Sequence, residues 1–187
     1  MSEMKIGCVV LAAGLGCRFG GNKLNACIDG KTLIFRALEA VPAQEFCQVV
    51  VVTGQESIKE TAKSFSFTVI DNPHPEWGQS YSLRLGLHAL FDCDAVLFQV
   101  ADQPYLMRSS IAELVAFYKD HPTKIAALSH NGKRGNPCIF PSDFFPELLS
   151  LDGDVGGNVV IHHHKDRLIL WEVAEKELQD IDTPEQL

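Results

Sequence analysis

The sequence predicts an α/β fold, a mostly parallel sheet with helices on both faces. Three observations point to it. Short apolar runs alternate along the chain with segments whose apolar residues recur at helical spacing. Several of the runs are apolar at nearly every position, as strands covered on both faces must be. The chain, 187 residues of which 46% are hydrophobic, is long enough for one sizeable core and short for two ordinary domains. Residues 1–187 are accordingly read as one domain.

Lys5 to Leu11 reads as the first buried strand, through Ile6, Val9, Val10 and Leu11. A Gly-rich loop from Ala13 to Asn22 follows. Thr32 to Val41 carries apolar residues at helical spacing and is closed by Pro42. Gln48 to Thr53, with four consecutive valines, is a second buried strand. Glu56 to Ser64 reads as a short helix and Phe67 to Ile70 as a third strand. Asp71-Asn72-Pro73-His74-Pro75 marks a loop. Ser82 to Phe91 reads as a helix with Leu83, Leu87 and Leu90 on one face. Ala95 to Val100 is a strand ending at Ala101-Asp102-Gln103-Pro104. A helix over Ser109 to Lys119 and a strand over Lys124 to Leu128 complete the regular part. Beyond Asn131 the pattern loosens: a strand at Cys138 to Phe140, a helix over Asp143 to Leu149 and a strand over Arg167 to Val173. Interleaved strands and helices imply the parallel sheet.

Lys and Arg number 16 against 24 Asp and Glu, a formal charge of −8. That argues against broad binding of nucleic acid or anionic membrane. No apolar run reaches the roughly 18–20 residues that span a bilayer. Glu3 ahead of the apolar stretch Ile6 to Ala13 does not fit a secretory signal, so a cytoplasmic protein is expected. The six cysteines, at 8, 17, 27, 47, 93 and 138, form no C-x-x-C pair and no zinc spacing, and read as reduced thiols. His162-His163-His164 reads as a solvated helix end rather than a metal site.

Ligands of open parallel sheets bind beyond the carboxyl ends of the strands. Two segments there carry chemistry. The loop from Leu11 through Ala12, Ala13, Gly14 and Gly16 to Lys23 has glycines that let backbone N–H groups approach phosphate oxygens. Arg18 and Lys23 add positive charge to it. It is not the dinucleotide fingerprint, because Phe19 stands where the third glycine belongs. It is not the P-loop either, since Asn22 displaces Lys23 and Leu24 replaces the hydroxyl residue. Asp102, at a strand end, is a candidate ligand for Mg²⁺, which takes carboxylates, waters and substrate phosphates. Its alternative role is a turn cap. Asp180 and Asp182 form a further carboxylate pair, and Asp182 ahead of Thr183-Pro184-Glu185 could equally cap a helix.

Together these segments resemble nucleotidyltransferases of the molybdenum-cofactor cytidylyltransferase type. Leu11-Ala12-Ala13-Gly14-x-Gly16-x-Arg18-Phe19-Gly20-x-x-Lys23 is similar to the family's signature loop. Gly78-Gln79-Ser80-Tyr81-Ser82-Leu83-Arg84 is similar to its second nucleotide-contacting segment, and Ala101-Asp102-Gln103-Pro104 to its metal-binding motif. Gly135-Asn136-Pro137-Cys138-Ile139-Phe140 and Gly153-Asp154-Val155-Gly156-Gly157 resemble the substrate-side motifs. Asp180-Ile181-Asp182-Thr183-Pro184 resembles the closing motif.

The resemblance implies a Rossmann-like nucleotidyltransferase fold and transfer of a nucleotidyl group from an NTP to a phosphorylated acceptor, with release of pyrophosphate. Ala13, where the guanylyl branch has a second glycine, favours CTP; the acceptor implied is molybdopterin, and a molybdoenzyme apoprotein is a candidate partner. Arg18, Lys23 and Asp102 take the catalytic roles. The nucleotide falls to Leu11, Ala12, Ala13, Gly14, Gly16, Arg18 and Lys23, with Ser80, Ser82 and Arg84 on the base and ribose side. Gly135, Asn136, Pro137, Asp154 and Gly156 fall to the acceptor. Mg²⁺ falls to Asp102 and Asp182. Rival readings are a nucleotidylyltransferase acting on a sugar phosphate or methylerythritol phosphate, and a non-catalytic nucleotide-binding module that serves a molybdoenzyme.

Overall fold

The computed structural model describes residues 3–14, 16, 19–21 and 23–187. Strand β1 (Ile6–Leu11) leads through the Gly-rich loop to a small hairpin, β2 (Cys27–Ile28) and β3 (Lys31–Thr32). Then come α1 (Leu33–Glu39), β4 (Gln48–Thr53), α2 (Glu56–Ser64), β5 (Thr68–Asp71), α3 (Gln79–Ala89) and β6 (Ala95–Val100). The remainder is α4 (Arg108–Lys119), β7 (Ile125–His130), β8 (Lys133–Pro141), α5 (Phe145–Leu149), α6 (Asn158–His163) and β9 (Leu168–Glu172).

The large sheet has seven strands in the order β5-β4-β1-β6-β8-β7-β9, and every pairing except the two made by β8 is parallel. The valine run of β4 shows why the strands read as unbroken apolar stretches. Val49 and Val51 join one apolar cluster, with α1, α2 and α4; Val50 and Val52 join the other, with α3, α5 and α6. A strand buried on both faces has no solvent side to give a period of two.

Two expectations shift. Helix α3 begins at Gln79 rather than Ser82, because Gly78, at φ 88°, turns the chain, and residues 153–154 take the first helical N–H groups. Gln79 donates its N–H to the Asp154 carboxylate at 3.2 Å and Ser80 donates to the Gly153 carbonyl at 3.3 Å. A Cβ on Gly78 would lie 2.5 Å from that carbonyl, so the two segments meet only across a glycine. Further along α3, Gly86 lets the helix lie directly on Val9 and Val52 of the sheet.

The strand expected at Cys138–Phe140 is longer, starts at Lys133 and runs antiparallel between β6 and β7. Its cause is the two-residue turn Asn131-Gly132, both at positive φ (51° and 73°), the turn whose twist suits a tight hairpin. Pairing with β7 is interrupted after that: Ser129 faces Arg134 but Ala127 already faces Cys138. Gly135, Asn136 and Pro137 therefore bulge out of the ladder, and bulges re-aim the side chains they carry.

The turn is tied down by Glu172 of β9, whose carboxylate accepts from Ser129 Oγ at 2.6 Å and from the N–H groups of Asn131 and Gly132 at 2.7 and 3.0 Å. The Ser129 hydroxyl first, then the Gly132 N–H, hold this carboxyl below its ordinary value. A carboxyl acidified by folding stabilises the fold above its unfolded pKa, and that stability is lost as pH falls through the folded value. Thermal melts between neutral pH and about pH 3 should therefore show the wild type losing more Tm on acidification than Glu172→Gln, which has no proton to take up. Parallel curves would leave Glu172 without that role.

The His162–His164 run ends α6, and His163 and His164 both meet the Glu147 carboxylate, at 2.9 and 2.7 Å. No helix among the described residues is long and apolar enough to cross a membrane. Among the described residues the cysteines, at 8, 27, 47, 93 and 138, are free thiols.

Candidate active site

In the sheet, β1 lies between β4 and β6, and the chain passes from β5 on one side of it to β6 on the other. The crevice beyond the carboxyl ends of β1 and β6 is where such a sheet binds ligands. A cleft of about 450 Å³ opens there. Leu11, Ala13, Gly14, Gly16 and Lys23 form one wall; Glu76, Gly78, Gln79 and Ser82 form the other; Val100, Ala101 and Asp102 close the bottom, with Asp154 at the side. Ala12 is buried under the loop and starts it, donating its N–H to the Val52 carbonyl at 2.9 Å. Arg18 lies outside the described residues.

The charged centre is a lysine between two carboxylates. Lys23 Nζ lies 2.8 Å from Asp102 Oδ2 and 3.2 Å from Asp182 Oδ1, with 12% of the Lys23 side chain exposed. Burial alone draws its pKa down, but the hydrogen bond and charge of Asp102, and then of Asp182, outweigh that, so the ammonium is held charged above its ordinary range. Asp182 reaches the cluster because Ile181 anchors its neighbour. Ile181 is fully buried in the core and its N–H donates to the Asp102 carbonyl at 3.0 Å. The cap ahead of Pro184 falls to Thr183, in a reciprocal arrangement with Gln186, which leaves Asp182 free to face Lys23. Asp180, on the other side of Ile181, has its pKa raised by burial first and then by the charge of Asp102.

The residue set suits a divalent cation. Two carboxylates already converge on one cationic nitrogen, so this place accommodates positive charge. Among the described residues no cage of three or more His, Cys, Asp or Glu is present. A hard cation that keeps waters and binds substrate phosphates needs only one or two carboxylates.

The remaining residues divide. Ser82 faces the cleft, and its oxygen accepts from the buried Asn72 amide at 2.8 Å, leaving its O–H to donate to a ligand. Ser80 does not line the cleft: its hydroxyl is bound to the Gly153 carbonyl at 2.7 Å. Arg84, expected on the base and ribose side, is not among the residues that line the cleft. One turn into α3 it faces the 151–152 loop, and its guanidinium donates to the Leu151 carbonyl at 2.8 Å. Asp154 sits in the nucleotide-sized cleft, where it caps Gln79, and not with the other acceptor candidates. Asn136 and Gly156 line a smaller recess of about 100 Å³ that continues from the cleft past Leu11, Gln79 and Val100. Gly135 packs against Leu178, and neither it nor Pro137 lines the recess. The sequence assigned no individual role to Asn72, Gln79, Arg134 or Ile181, though Gln79 and Ile181 lie inside its motifs; only the spacing of Ile181 between two aspartates signalled an anchor.

A polyphosphate fits this place: backbone N–H groups of a glycine loop, a lysine, and carboxylates for a counter-cation, in a cleft at a sheet's switch point. The class so defined is the nucleotidyltransferases. The family model of the MobA-like NTP transferase domain matches residues 8–168, and the chain belongs to that family. It is 28% identical to the purine catabolism protein PucB of Bacillus subtilis over 95% of this chain and 92% of that protein. It is 42% identical to the "Probable molybdenum cofactor guanylyltransferase" of Thermococcus sibiricus over 34% of this chain and 33% of that one. A 2-C-methyl-D-erythritol 4-phosphate cytidylyltransferase of Dehalococcoides mccartyi matches at 31% identity over 66% of this chain and 57% of its own length. Among solved structures, a nucleotidyl transferase from Methanothermobacter superposes with a TM-score of 0.80 at 23% identity, over 97% of this chain and 93% of that one. The fold is thus the Rossmann-like nucleotidyltransferase fold.

Proposed function

We propose that this enzyme, with residues 1–187 as one domain, transfers a cytidylyl group from CTP to molybdenum-loaded molybdopterin and releases pyrophosphate. The observation that carries the reading is the Lys23 ammonium held between Asp102 and Asp182 at the bottom of a cleft walled by the glycine loop. The acceptor's phosphate oxygen attacks the α-phosphorus of CTP in line, and the bond to the pyrophosphate oxygen breaks on the opposite side. Both partners are anions, so positioning and charge neutralisation supply most of the rate. The N–H groups of Ala13 to Gly16, with Lys23 and Arg18, cradle the triphosphate. Ser82 donates toward the base and ribose. Asp102 and Asp182 would hold Mg²⁺, which would supply neutralising charge to phosphate oxygens.

Ala13 supports CTP, and the name of the Dehalococcoides relative is a cytidylyltransferase; the Thermococcus relative is named for guanylyl transfer, and its name supports the molybdenum cofactor as destination. PucB, which matches nearly the whole chain, is named for purine catabolism. A second reading is a non-catalytic nucleotide-binding module that serves a molybdoenzyme apoprotein in the cytoplasm.

Pyrophosphate release from CTP, GTP and ATP with Mg²⁺, with and without molybdopterin, tests both. Release that needs the pterin and is fastest with CTP is the expected result. Mg²⁺-dependent CTP binding without pterin-dependent release would redirect the acceptor, to a sugar or methylerythritol phosphate first. Nucleotide binding with no release from any acceptor tried would leave only the maturation module, and no nucleotide binding would remove both readings.

A further inference from the structure

The recess beside the cleft contains one charge. Its walls are apolar or neutral, with Phe98, Phe140 and Ile161 among them, and Arg134 is the single ionisable cation or anion lining it other than the buried thiol of Cys138. In a chain with a formal charge of −8, Arg134 meets no carboxylate at ion-pair distance among the described residues. Its partners are neutral: the guanidinium donates to Asn158 Oδ1, to the Gly135 carbonyl at 3.5 Å and to Cys138 Sγ at 3.5 Å. These contacts orient the group without compensating its charge. The bulge at Gly135–Pro137 sits directly beside it, where β8 leaves the β7 ladder.

A half-buried guanidinium with neutral partners is an incomplete ion pair. It lacks an anion, and its planar donors suit an oxyanion that accepts two of them at once. The recess is too small for a nucleotide but takes a group of a few water volumes, a water occupying about 30 Å³ in the liquid. It joins the cleft across Leu11, Gln79 and Val100, so a phosphate held there borders the cleft in which the nucleotide would lie.

We infer that Arg134 is the anion receptor of the second substrate, binding a phosphate monoester in this recess while the nucleotide occupies the main cleft. This rests on the transferase reading above and adds to it the residue that selects a phosphorylated acceptor. Asn158 is its positioning residue, and Asn136, on the bulge, lines the same recess.

The test is calorimetric titration of inorganic phosphate into the full chain saturated with CTP and Mg²⁺, so that the triphosphate site is filled. Wild type should bind phosphate. Arg134→Gln should weaken that binding by about tenfold or more. Arg134→Lys should recover part of it, and CTP affinity should stay within about twofold in both. Circular dichroism and Tm guard against misfolding, with Asn158→Ala as the variant to use if Arg134→Gln fails to fold; it should weaken phosphate in the same direction. Equal phosphate affinity in wild type and Arg134→Gln overturns the inference, as does a matching loss of CTP, or no phosphate uptake by the wild type. Failure of the wild type to bind CTP would instead refute the nucleotide reading. The same phosphate titrations of wild type and variants without nucleotide then decide for or against Arg134 alone.

Discussion

Asp102→Ala should abolish pyrophosphate release at every Mg²⁺ concentration tested. Asp102 stands at the end of β6, at the bottom of the cleft, and its Oδ2 is the nearer of the two oxygens gathered on Lys23. Its side chain reaches the tail only through Lys23, whereas the buried Ile181 holds the tail to the Asp102 backbone carbonyl through its N–H. The variant should therefore fold with Asp182 still at Lys23 while the carboxylate that would hold a cation for the phosphates is lost. Removing one preorganised charge-stabilising group costs about 10²–10³-fold in kcat, and here the rate loss is compounded because Mg²⁺ loses a carboxylate. Steady-state rates across a Mg²⁺ series, beside a melting curve, check it; a near-wild-type rate would remove Asp102 from the metal role.

The second large effect is at Lys23. Lys23→Ala should lose about 10²-fold or more in kcat/KM for the nucleotide. Its ammonium is one cation facing three acidic side chains, at 102, 180 and 182. Taking it away weakens triphosphate binding and leaves Asp102 and Asp182 close together without it. The two effects separate experimentally. The loss of turnover should persist at saturating Mg²⁺, whereas the repulsion between carboxylates should be relieved by it, so Tm should rise with Mg²⁺ more steeply than in the wild type. A defect confined to the acceptor's KM would place Lys23 on the other substrate.

Much of the sheet and its helices was readable from residue order. Glu56–Ser64 and Ala95–Val100 match the structure residue for residue, because a strand buried on both faces and a helix with one apolar face each leave a local signature. The half beyond Asn131 was less readable. Gly135 and Pro137 inside a strand weaken its pattern, and the strand is made by its pairing between β6 and β7. The Asn131-Gly132 turn was a local signal for that hairpin and could have been used. At the site, Lys23, Asp102 and Asp182 were named from loops at strand ends and from motif resemblance. The resemblance already assigned Asp102 and Asp182 to one Mg²⁺; the direct contact of Lys23 with both was not legible, since it depends on Ile181 reaching the core. Ser80 and Arg84 illustrate the opposite limit: both belong to a polar segment near the cleft, yet their side chains are taken up by the carbonyls of Gly153 and Leu151. Sequence shows which groups are available, and packing decides which are already bonded.

The docking of Ile181 has a consequence for how the protein comes into being. The contacts that join Lys23 to Asp102 and to Asp182 span 79 and 159 positions of the chain. Contacts of that reach form only after the intervening chain has been organised. A ribosome that has released the strands but not residues 180–182 carries a nascent molecule with a glycine loop and a lysine, and half of its counter-charge missing. The Lys23 cluster is thus complete only once residues 180–182 have docked, after the chain between its members has been organised.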